Sequence, residues 1–209
     1  MLAAVEPLRL LAATSNAHKR AELRRLLSGA LIDLASPSEA GVVLHVEETG
    51  TTYAENALLK ARAYAKASGI LALADDSGIE VDALGGKPGV RSARYGGPGL
   101  DDAARTRLLL SETAAIPDRR RGARYVAVLA LAWPDGTAEA FTGTCEGALA
   151  REPRGANGFG YDPLFAPAGG GGRTMAELTA AEKDAVSHRG IAARKAAARL
   201  RELASEAPA

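Results

Sequence analysis

The N-terminal part of the chain alternates short apolar runs with one helical pattern. Leu8–Ala13 is an apolar run that ends in the polar turn Thr14–Asn16, and Leu31–Ala35 is a second apolar run. Between them, Ala17–Ser28 has leucines on one side of a helix and arginines on the other. A strand, a helix and a strand at this spacing are typical of an α/β unit. We therefore expect an α/β fold.

The middle of the chain contains a helix-start signal followed by further strands. Thr52 and Glu55 have the spacing of a capping box and predict a helix that runs through Ser68. Ile70–Ala74 and Ile79–Leu84 predict two strands separated by an acidic turn. The other expected elements are, in chain order, a helix at Asp101–Leu110, a hairpin of strands at Ala123–Ala132 and Thr137–Thr144, a short helix after the capping box at Thr179–Glu182, and a last helix that Ser187 caps and that runs to about Ala204.

Composition and charge limit the classes of function. Lys and Arg number 26 and Asp and Glu number 25, which gives a formal net charge of +1. A general nucleic-acid binder usually has a basic excess, so we expect no nucleic-acid partner. The single cysteine, Cys145, cannot form an internal disulfide, and no apolar run approaches the roughly 18 residues of a membrane span. We therefore expect a cytoplasmic protein with no membrane segment, and its length predicts a single domain over residues 1–209.

The turn between the first strand and the first helix is a candidate anion site. It offers the hydroxyl groups of Thr14 and Ser15, the amide of Asn16 and the ammonium of Lys19 next to the N–H groups of a helix start. Such a turn suits a phosphate group or a nucleotide base. The alternative is an ordinary helix cap followed by a solvent-facing lysine.

Two pairs of adjacent carboxylates are candidate metal ligands. Asp75 and Asp76 follow an expected strand, and Glu47 and Glu48 lie in the loop before the long helix. Adjacent carboxylates repel each other, so a cation nearby would stabilise them. Magnesium prefers a few carboxylates together with phosphate oxygens of a substrate. The alternative for the aspartate pair is a simple turn, because Asp, Ser and Gly all favour turns.

A polar stripe crosses the long helix in the middle of the chain. Asn56 and Lys60 are four residues apart and therefore share one helix face, with Tyr53 on the same side. This stripe either lines a cleft or forms the solvated face of the helix.

Two later segments have groups that suit a planar base. Gly158–Pro163 combines glycines with two aromatic side chains, so a base can stack on a ring while the backbone approaches closely. Lys183, His188 and Arg189 are three potential cations close together in sequence, and cations suit a polyphosphate or an exocyclic oxygen. The alternatives are a tight loop with its rings in the core and an ordinary helix start.

Seven short segments occur in a fixed order along the chain. They are Thr14–Asn16 with Lys19 and Glu22, Glu47–Gly50, Glu55–Asn56 with Lys60–Ala61, Ala74–Gly78, Pro88–Gly89 with Ser92–Tyr95, Gly158–Pro163, and Ser187–Gly190. In this order they resemble the inosine/xanthosine triphosphate pyrophosphatases, and the resemblance covers about residues 8–200.

The resemblance implies a fold and an activity. The implied fold is α/β, with a central mixed twisted sheet, flanking helices and two lobes around a nucleotide cleft. The implied activity is Mg²⁺-dependent hydrolysis of ITP, dITP and XTP to the monophosphate and pyrophosphate, which removes deaminated purines from the nucleotide pool. The implied partners are the nucleoside triphosphate and a second copy of the chain in a homodimer.

The resemblance also implies roles for individual residues. Asp76 matches the catalytic proton acceptor and, with Glu47, a magnesium ligand. A metal lowers the basicity of its ligand, so Asp75 remains an alternative base. Glu48 remains an alternative to Glu47 as the metal ligand. The lysines would offset triphosphate charge, and His188 with Arg189 would recognise the purine. The full set that matches substrate contacts is Thr14, Ser15, Asn16, Ala17, His18, Lys19, Lys60, Ser77, Phe159, Gly160, Tyr161, Asp162, Lys183, His188 and Arg189.

Overall fold

The computed structural model describes residues 7–206. Their strands are β1 (Leu8–Ala12), β2 (Ile32–Ala35), β3 (Ala72–Val81), β4 (Gly122–Ala132), β5 (Ala138–Leu149) and β6 (Phe165–Pro167). Their α-helices are α1 (Ala17–Leu26), α2 (Tyr53–Ser68), α3 (Asp102–Glu112), α4 (Ala180–Val186) and α5 (His188–Glu206). Short 3₁₀ helices are at Asp82–Leu84, Gly89–Arg94, Asp118–Arg120 and Met175–Glu177. Within residues 7–206, no helix is long and apolar enough to cross a membrane.

The strands form one mixed sheet in the order β2-β1-β3-β4-β5-β6. β1 pairs in parallel with both β2 and β3, whereas β5 and β6 are antiparallel. Leu8 lies opposite Ile32, and Leu11 lies opposite both Ala35 and Ala72. The parallel pair joined by α1 is the expected N-terminal α/β unit, and the expectation of a mixed sheet with flanking helices is confirmed.

Strand β3 differs from the expectation. The break predicted at Asp75–Gly78 is wrong, because β3 continues without interruption from Ala72 to Val81. Asp, Ser and Gly favour turns when only local propensity counts. Here Asp75 and Asp76 are buried within a sheet, and their carboxylates find partners on other elements, Lys19 and Asn56. These tertiary contacts override the turn propensity.

The second strand of the hairpin is extended by its pairing with β6. The pattern predicts a strand over Thr137–Thr144, with Ala148–Arg151 either extending it or beginning another strand, and β5 runs without interruption from Ala138 to Leu149. Gly147 pairs with Pro167 and Leu149 pairs with Phe165, so the additional residues are held by β6. The pairing with β6, which follows a long loop, favours the extension over a separate strand.

Helix boundaries set by local caps are confirmed. The Thr52 hydroxyl accepts from the Glu55 N–H at 3.1 Å, and the Glu55 carboxylate accepts from the Thr52 N–H at 3.0 Å. Gly69 ends α2 with a φ of 68°, in the left-handed region that glycine adopts easily. The Ser187 hydroxyl accepts from the Gly190 N–H at 3.0 Å, as predicted for the start of α5.

The chain divides into two compact units, each with its own apolar core. The first unit comprises the described residues up to Asp76, Val128–Thr142 and those from Ala192 onward, and the second comprises Ser77–Ala127 and Gly143–Ile191. The core of the first unit includes the buried residues Leu10, Leu11, Leu23, Leu27, Ala57, Leu73, Leu129, Leu131 and Leu200. The core of the second includes Ile79, Val81, Leu109, Tyr125, Leu164, Phe165 and Met175.

Candidate active site

The turn between β1 and α1 has a fixed conformation in the first unit. Asn16 is the N-cap of α1, and its side chain accepts from the Lys19 N–H at 3.1 Å. The guanidinium of Arg20 donates to the Ser15 carbonyl at 2.8 Å. Ser15, Ala17 and His18 are exposed. The turn is therefore both an ordinary cap and an exposed set of donors at a helix start, as a phosphate site requires.

Lys19 does not face solvent. Its ammonium lies 2.8 Å from Oδ2 of Asp75, whose side chain is completely buried. The interpretation of Lys19 as a solvent-facing lysine is therefore wrong. The ion pair connects the start of α1 to β3 and places a cation next to the aspartate pair.

Asn56 and Asp76 form the buried centre of the first unit's site. Asn56 is fully buried, and its amide donates to Oδ2 of Asp76 at 3.2 Å. Its Oδ1 accepts from the Gly50 N–H at 2.8 Å. The amide thereby ties the loop before α2 to strand β3, and Asn56 lies on no solvated face.

Lys60 connects three oxygen atoms of the same region. Its ammonium lies 2.6 Å from Oε1 of Glu48, 2.8 Å from the Asp75 carbonyl and 3.8 Å from Oδ1 of Asp76. Glu47 is exposed, whereas its neighbour Glu48 is half-buried. The acidic residue that this structure brings to the aspartates is therefore Glu48, the alternative of the two glutamates.

Burial controls the protonation of Asp76. Loss of water raises the pKa of Asp76 above the usual range of an aspartate, and the Glu48 carboxylate raises it further. The cations of Lys60 and Lys19 act in the opposite direction, as does the hydrogen bond from Asn56. Asp76 is thus a carboxylate of increased basicity, which suits a proton acceptor.

The donor set around Lys60 fits a hard cation. The carboxylates of Glu48 and Asp76 and the carbonyl of Asp75 are oxygen donors, which magnesium prefers, and a cationic ammonium already lies among them. No group of three or more His, Cys, Asp or Glu residues in the described part of the chain could hold a metal ion alone. A magnesium ion would therefore need water or substrate oxygens to complete its ligand shell.

In the second unit, Asp162 organises the glycine-rich loop. Its Oδ2 accepts from the Phe159 N–H at 2.9 Å and from the Lys183 ammonium at 2.6 Å. A side chain at Gly158 would place its Cβ 2.0 Å from this oxygen, and Gly158 has a φ of 77°. The loop conformation therefore requires glycine at this position.

The aromatic rings of this loop have different environments. Tyr161 is buried, and its hydroxyl donates to the Ser92 carbonyl at 2.9 Å, so its ring belongs to the core. Phe159 is half-buried, and its ring centroid lies 5.1 Å from the ammonium of Lys183 and 5.6 Å from the guanidinium carbon of Arg189. Phe159 is thus the ring that is placed to contact a planar ligand.

His188 and Arg189 are both buried at the start of α5. Arg189 donates to the Ser77 hydroxyl at 2.9 Å and is 2 % exposed. The imidazole of His188 stacks in parallel on the ring of Tyr125, with centroids 4.5 Å apart and planes inclined by 7°. Ser77, His188 and Arg189 thus belong to one cluster. Their spacing in the sequence alone does not reveal this cluster.

One residue of the site, Tyr125, has no signal of its own in the sequence. Tyr125 is one apolar position in a strand, and only its contact with His188 distinguishes it. Asn56 is visible as part of a polar stripe, and its spacing to Lys60 could have indicated a shared target. The predicted roles of Glu47 and of the substrate-contact residues stay predictions.

Fold and site together define an α/β protein with a buried acid–lysine cluster in one unit and an aromatic and cationic cluster in the other. The sequence profile of the Ham1 family matches residues 10–199, and the chain belongs to this family. Its fold is similar to the structure of a HAM1 protein from Coxiella burnetii, with a TM-score of 0.84, 43% identity, and coverage of 93% of this chain and 99% of that one.

Several similar proteins have a named activity. A dITP/XTP pyrophosphatase from Anaeromyxobacter sp. (strain Fw109-5) is 47% identical to this chain in an alignment that covers 94% of this chain and 98% of that protein. A dITP/XTP pyrophosphatase from Mycobacterium tuberculosis is 50% identical over 201 residues, covering 94% and 97%. The structure of a nucleoside-triphosphatase / dITP/XTP pyrophosphatase from Mycobacterium abscessus has a TM-score of 0.72 and 49% identity, covering 92% of this chain and 99% of that one.

Proposed function

We propose that this protein hydrolyses ITP, dITP and XTP to the corresponding monophosphate and pyrophosphate, and so removes deaminated purines from the nucleotide pool. One observation carries the proposal: a buried carboxylate of raised pKa, Asp76, is held by Asn56 beside two lysines. The names of relatives that align over nearly the whole chain support the same substrates.

The lysines of the first unit are suited to bind the triphosphate. Lys19 and Lys60 each have a carboxylate partner, Asp75 and Glu48 respectively. A triphosphate can replace such partners, because it carries several negative charges and its oxygens accept charge-assisted hydrogen bonds from an ammonium. The exposed donors at the start of α1 would contact the same phosphates. In the second unit, Lys183 forms a buried ion pair with Asp162. We therefore propose that Lys183 holds the glycine-rich loop and contacts the ligand there, in addition to offsetting phosphate charge.

Mg²⁺ is the cofactor of this proposal. Glu48 and Asp76 would hold it, with Glu47 as the other candidate in the same loop. When bound, magnesium would neutralise charge on the phosphate oxygens. The Lys60 ammonium would then exchange its present partner, Glu48, for a phosphate oxygen.

The proposed chemistry is attack of water on the α-phosphorus. The carboxylate of Asp76 accepts a proton from the water as the new P–O bond forms. The bond between the α-phosphorus and the bridging oxygen breaks, and pyrophosphate leaves with the electron pair. Asp75 is the alternative base, because a bound metal would lower the basicity of Asp76; the adjacent Lys19 ammonium, however, stabilises the ionised form of Asp75. Such a reaction depends mainly on positioning and charge compensation.

The second unit would recognise the purine. Inosine and xanthosine have an oxygen at the purine 6-position, where adenosine has an amino group. Donors from His188, Arg189 and the backbone of the Phe159–Asp162 loop would bind this oxygen. With ATP these donors would face another donor, and a buried unpaired polar group costs about 1–3 kcal/mol.

We also propose that the protein acts in the cytoplasm as a homodimer. Its only cysteine is a buried thiol, as in a reducing compartment. Val43 is fully exposed, and Leu44 and Leu59 are 37% and 41% exposed. A contiguous patch of exposed apolar side chains is typical of an interface between chains, and these three residues are the candidates for such a patch. Light scattering coupled to size-exclusion chromatography measures the mass directly, and a monomer at micromolar concentration would contradict the dimer.

A product assay with ITP, XTP, GTP and ATP in the presence of Mg²⁺ tests the proposed function. We expect rapid formation of IMP or XMP with pyrophosphate, and much slower turnover of ATP; because guanine has the same 6-oxygen, slower turnover of GTP would have to result from its 2-amino group. Binding without turnover would instead indicate a nucleotide sensor. Asp76→Asn is the matched negative control, because it removes a charge with little change in volume.

A further inference from the structure

We infer that Tyr125 is a positioning residue for purine selectivity, because its ring fixes the plane of the His188 imidazole. This inference rests on the proposed function, in which His188 contacts the purine. Tyr125 itself has no expected contact with substrate. It acts by restricting the orientation of a neighbour that does.

The contact between the two rings is close and nearly parallel. The centroids of Tyr125 and His188 are 4.5 Å apart and their planes differ by 7°. Both side chains are buried, with 6% and 4% exposure. Stacking at this distance favours one plane for the imidazole over others.

Tyr125 is in turn held firmly by its surroundings. It lies in β4, inside the core of the second unit, and the ring of Phe165 meets it edge-on at 4.8 Å and 73°. Burial raises the pKa of the Tyr125 hydroxyl, and the nearby Asp162 carboxylate raises it further. A ring that is packed edge-on against Phe165 inside a core is a rigid support for His188.

The same tyrosine links both segments that are proposed to bind the purine. Asp162 accepts from the Phe159 N–H and from Lys183, and so it sets the conformation of the glycine-rich loop. The Asp162 carboxylate lies near enough to the Tyr125 hydroxyl to raise its pKa, and the ring of Tyr125 stacks on His188. The loop and the start of α5 therefore both lie next to the same residue of β4.

The plane of the imidazole matters because imidazole nitrogens donate hydrogen bonds within the ring plane. A donor aimed at the purine 6-oxygen contributes to binding of ITP only if this plane is maintained. ATP has a donor at the same position and gains nothing from the alignment. Loss of the ring at position 125 would therefore reduce turnover of ITP more than turnover of ATP.

The test compares Tyr125→Leu, Tyr125→Phe and Tyr125→Met with the wild type, by kcat/KM for ITP and for ATP. We expect the ITP/ATP ratio to fall about tenfold in the Leu and Met variants, the size of one lost well-directed hydrogen bond. The Phe variant keeps the ring and should keep the ratio within about twofold. Tyr95→Leu is the matched control, because Tyr95 packs on the same core without a ring contact to His188 in the described structure.

The outcomes separate this inference from the proposed function. If Tyr125 had a purely structural role, its replacement would lower kcat/KM for ITP and for ATP by the same factor and leave the ITP/ATP ratio unchanged. If the ratio stays unchanged in a folded Leu or Met variant while His188→Ala narrows it, the inference is wrong and the proposed function stands. A wild type that does not prefer ITP to ATP would overturn the proposed function and this inference with it.

Discussion

The ammonium of Lys60 lies 2.6 Å from Oε1 of Glu48. This ion pair joins helix α2 to the acidic loop that precedes it. The same ammonium contacts the Asp75 carbonyl and lies 3.8 Å from Asp76, so a cation of the protein itself occupies the acidic cluster. If Mg²⁺ and the triphosphate bind as proposed, their binding would be coupled, because the metal would use Glu48 and the triphosphate would use Lys60, which now pair with each other.

The first prediction is that Lys60→Met strengthens metal binding without nucleotide and weakens nucleotide binding. Without the ammonium, Glu48 and Asp76 repel each other, and a divalent cation relieves this repulsion. A partly exposed ion pair contributes up to about 1 kcal/mol, so the Kd for Mn²⁺ alone should fall by up to about fivefold. Isothermal titration of Mn²⁺ measures this change, and the KM for ITP should rise.

Lys66→Met is the matched control for this prediction. Lys66 is exposed in the last turn of the same helix, so its removal changes the net charge equally but should leave the Kd for Mn²⁺ unchanged. An equal or weaker affinity for Mn²⁺ in Lys60→Met would contradict the competition between the ammonium and the metal.

The second prediction concerns Asp76. Asp76→Asn should reduce kcat for ITP by about 100-fold or more, since it removes both a proton acceptor and a charge. Its melting temperature should not fall, because the carboxylate is buried and its charge is costly there. Glu80→Gln on the same strand loses only a partly exposed ion pair with Arg124 and should keep its activity. A folded Asp76→Asn enzyme with most of its activity would show that Asp76 is not the base.

The third prediction concerns the stability provided by Asn56. Asn56→Ala leaves the Gly50 N–H and one oxygen of Asp76 without this buried partner, so the free energy of unfolding should fall by roughly 2–3 kcal/mol. Urea denaturation measures this loss. The exposed Asn157, whose amide donates to the Leu178 carbonyl, is the control. Equal losses in Asn56→Ala and Asn157→Ala would contradict a central role for the buried amide.

The sequence predicts those parts of the structure whose causes are local. The capping box of Thr52 and Glu55 forms as expected, because all of its hydrogen bonds lie within four residues. The strand–helix–strand unit at the N-terminus is likewise visible from its apolar pattern. The same local reasoning fails at Asp75–Gly78, where the residues that keep the strand extended come from α1 and α2.

The candidate site was predictable by residue type and not by arrangement. Neighbouring glutamates in an irregular loop show no periodicity, so the sequence does not indicate which of them reaches Lys60 and the aspartates; in the structure it is Glu48. The stack of His188 on Tyr125 joins a strand and a helix far apart in sequence. No local pattern encodes such a contact.

The fourth prediction concerns the pH dependence of Cys145. Burial raises the pKa of this thiol to about 11 from a reference value of 9.0. At pH 8 the thiolate fraction is therefore about 100-fold smaller than in the unfolded chain, and labelling should be slower by at least this factor. The labelling rate should rise about tenfold per pH unit up to about pH 11.

The same shift has a consequence for stability. The folded state retains the thiol proton more strongly than the unfolded state does. The resulting contribution to the free energy of unfolding is complete below pH 9 and is lost as the pH rises towards 11. Because the chain has one cysteine, labelling with a thiol reagent reports on this residue alone. Equal labelling rates at pH 8 in buffer and in denaturing urea would contradict the burial of the thiol.

The most direct test of the proposed reaction is hydrolysis of ITP in ¹⁸O-labelled water with Mg²⁺, with the products analysed by mass spectrometry at early times. Attack on the α-phosphorus predicts IMP and pyrophosphate in equal amounts, with ¹⁸O in the phosphate of IMP and none in pyrophosphate. Early IDP with inorganic phosphate, or ¹⁸O in pyrophosphate, would place the attack on the γ- or β-phosphorus and contradict the proposed mechanism.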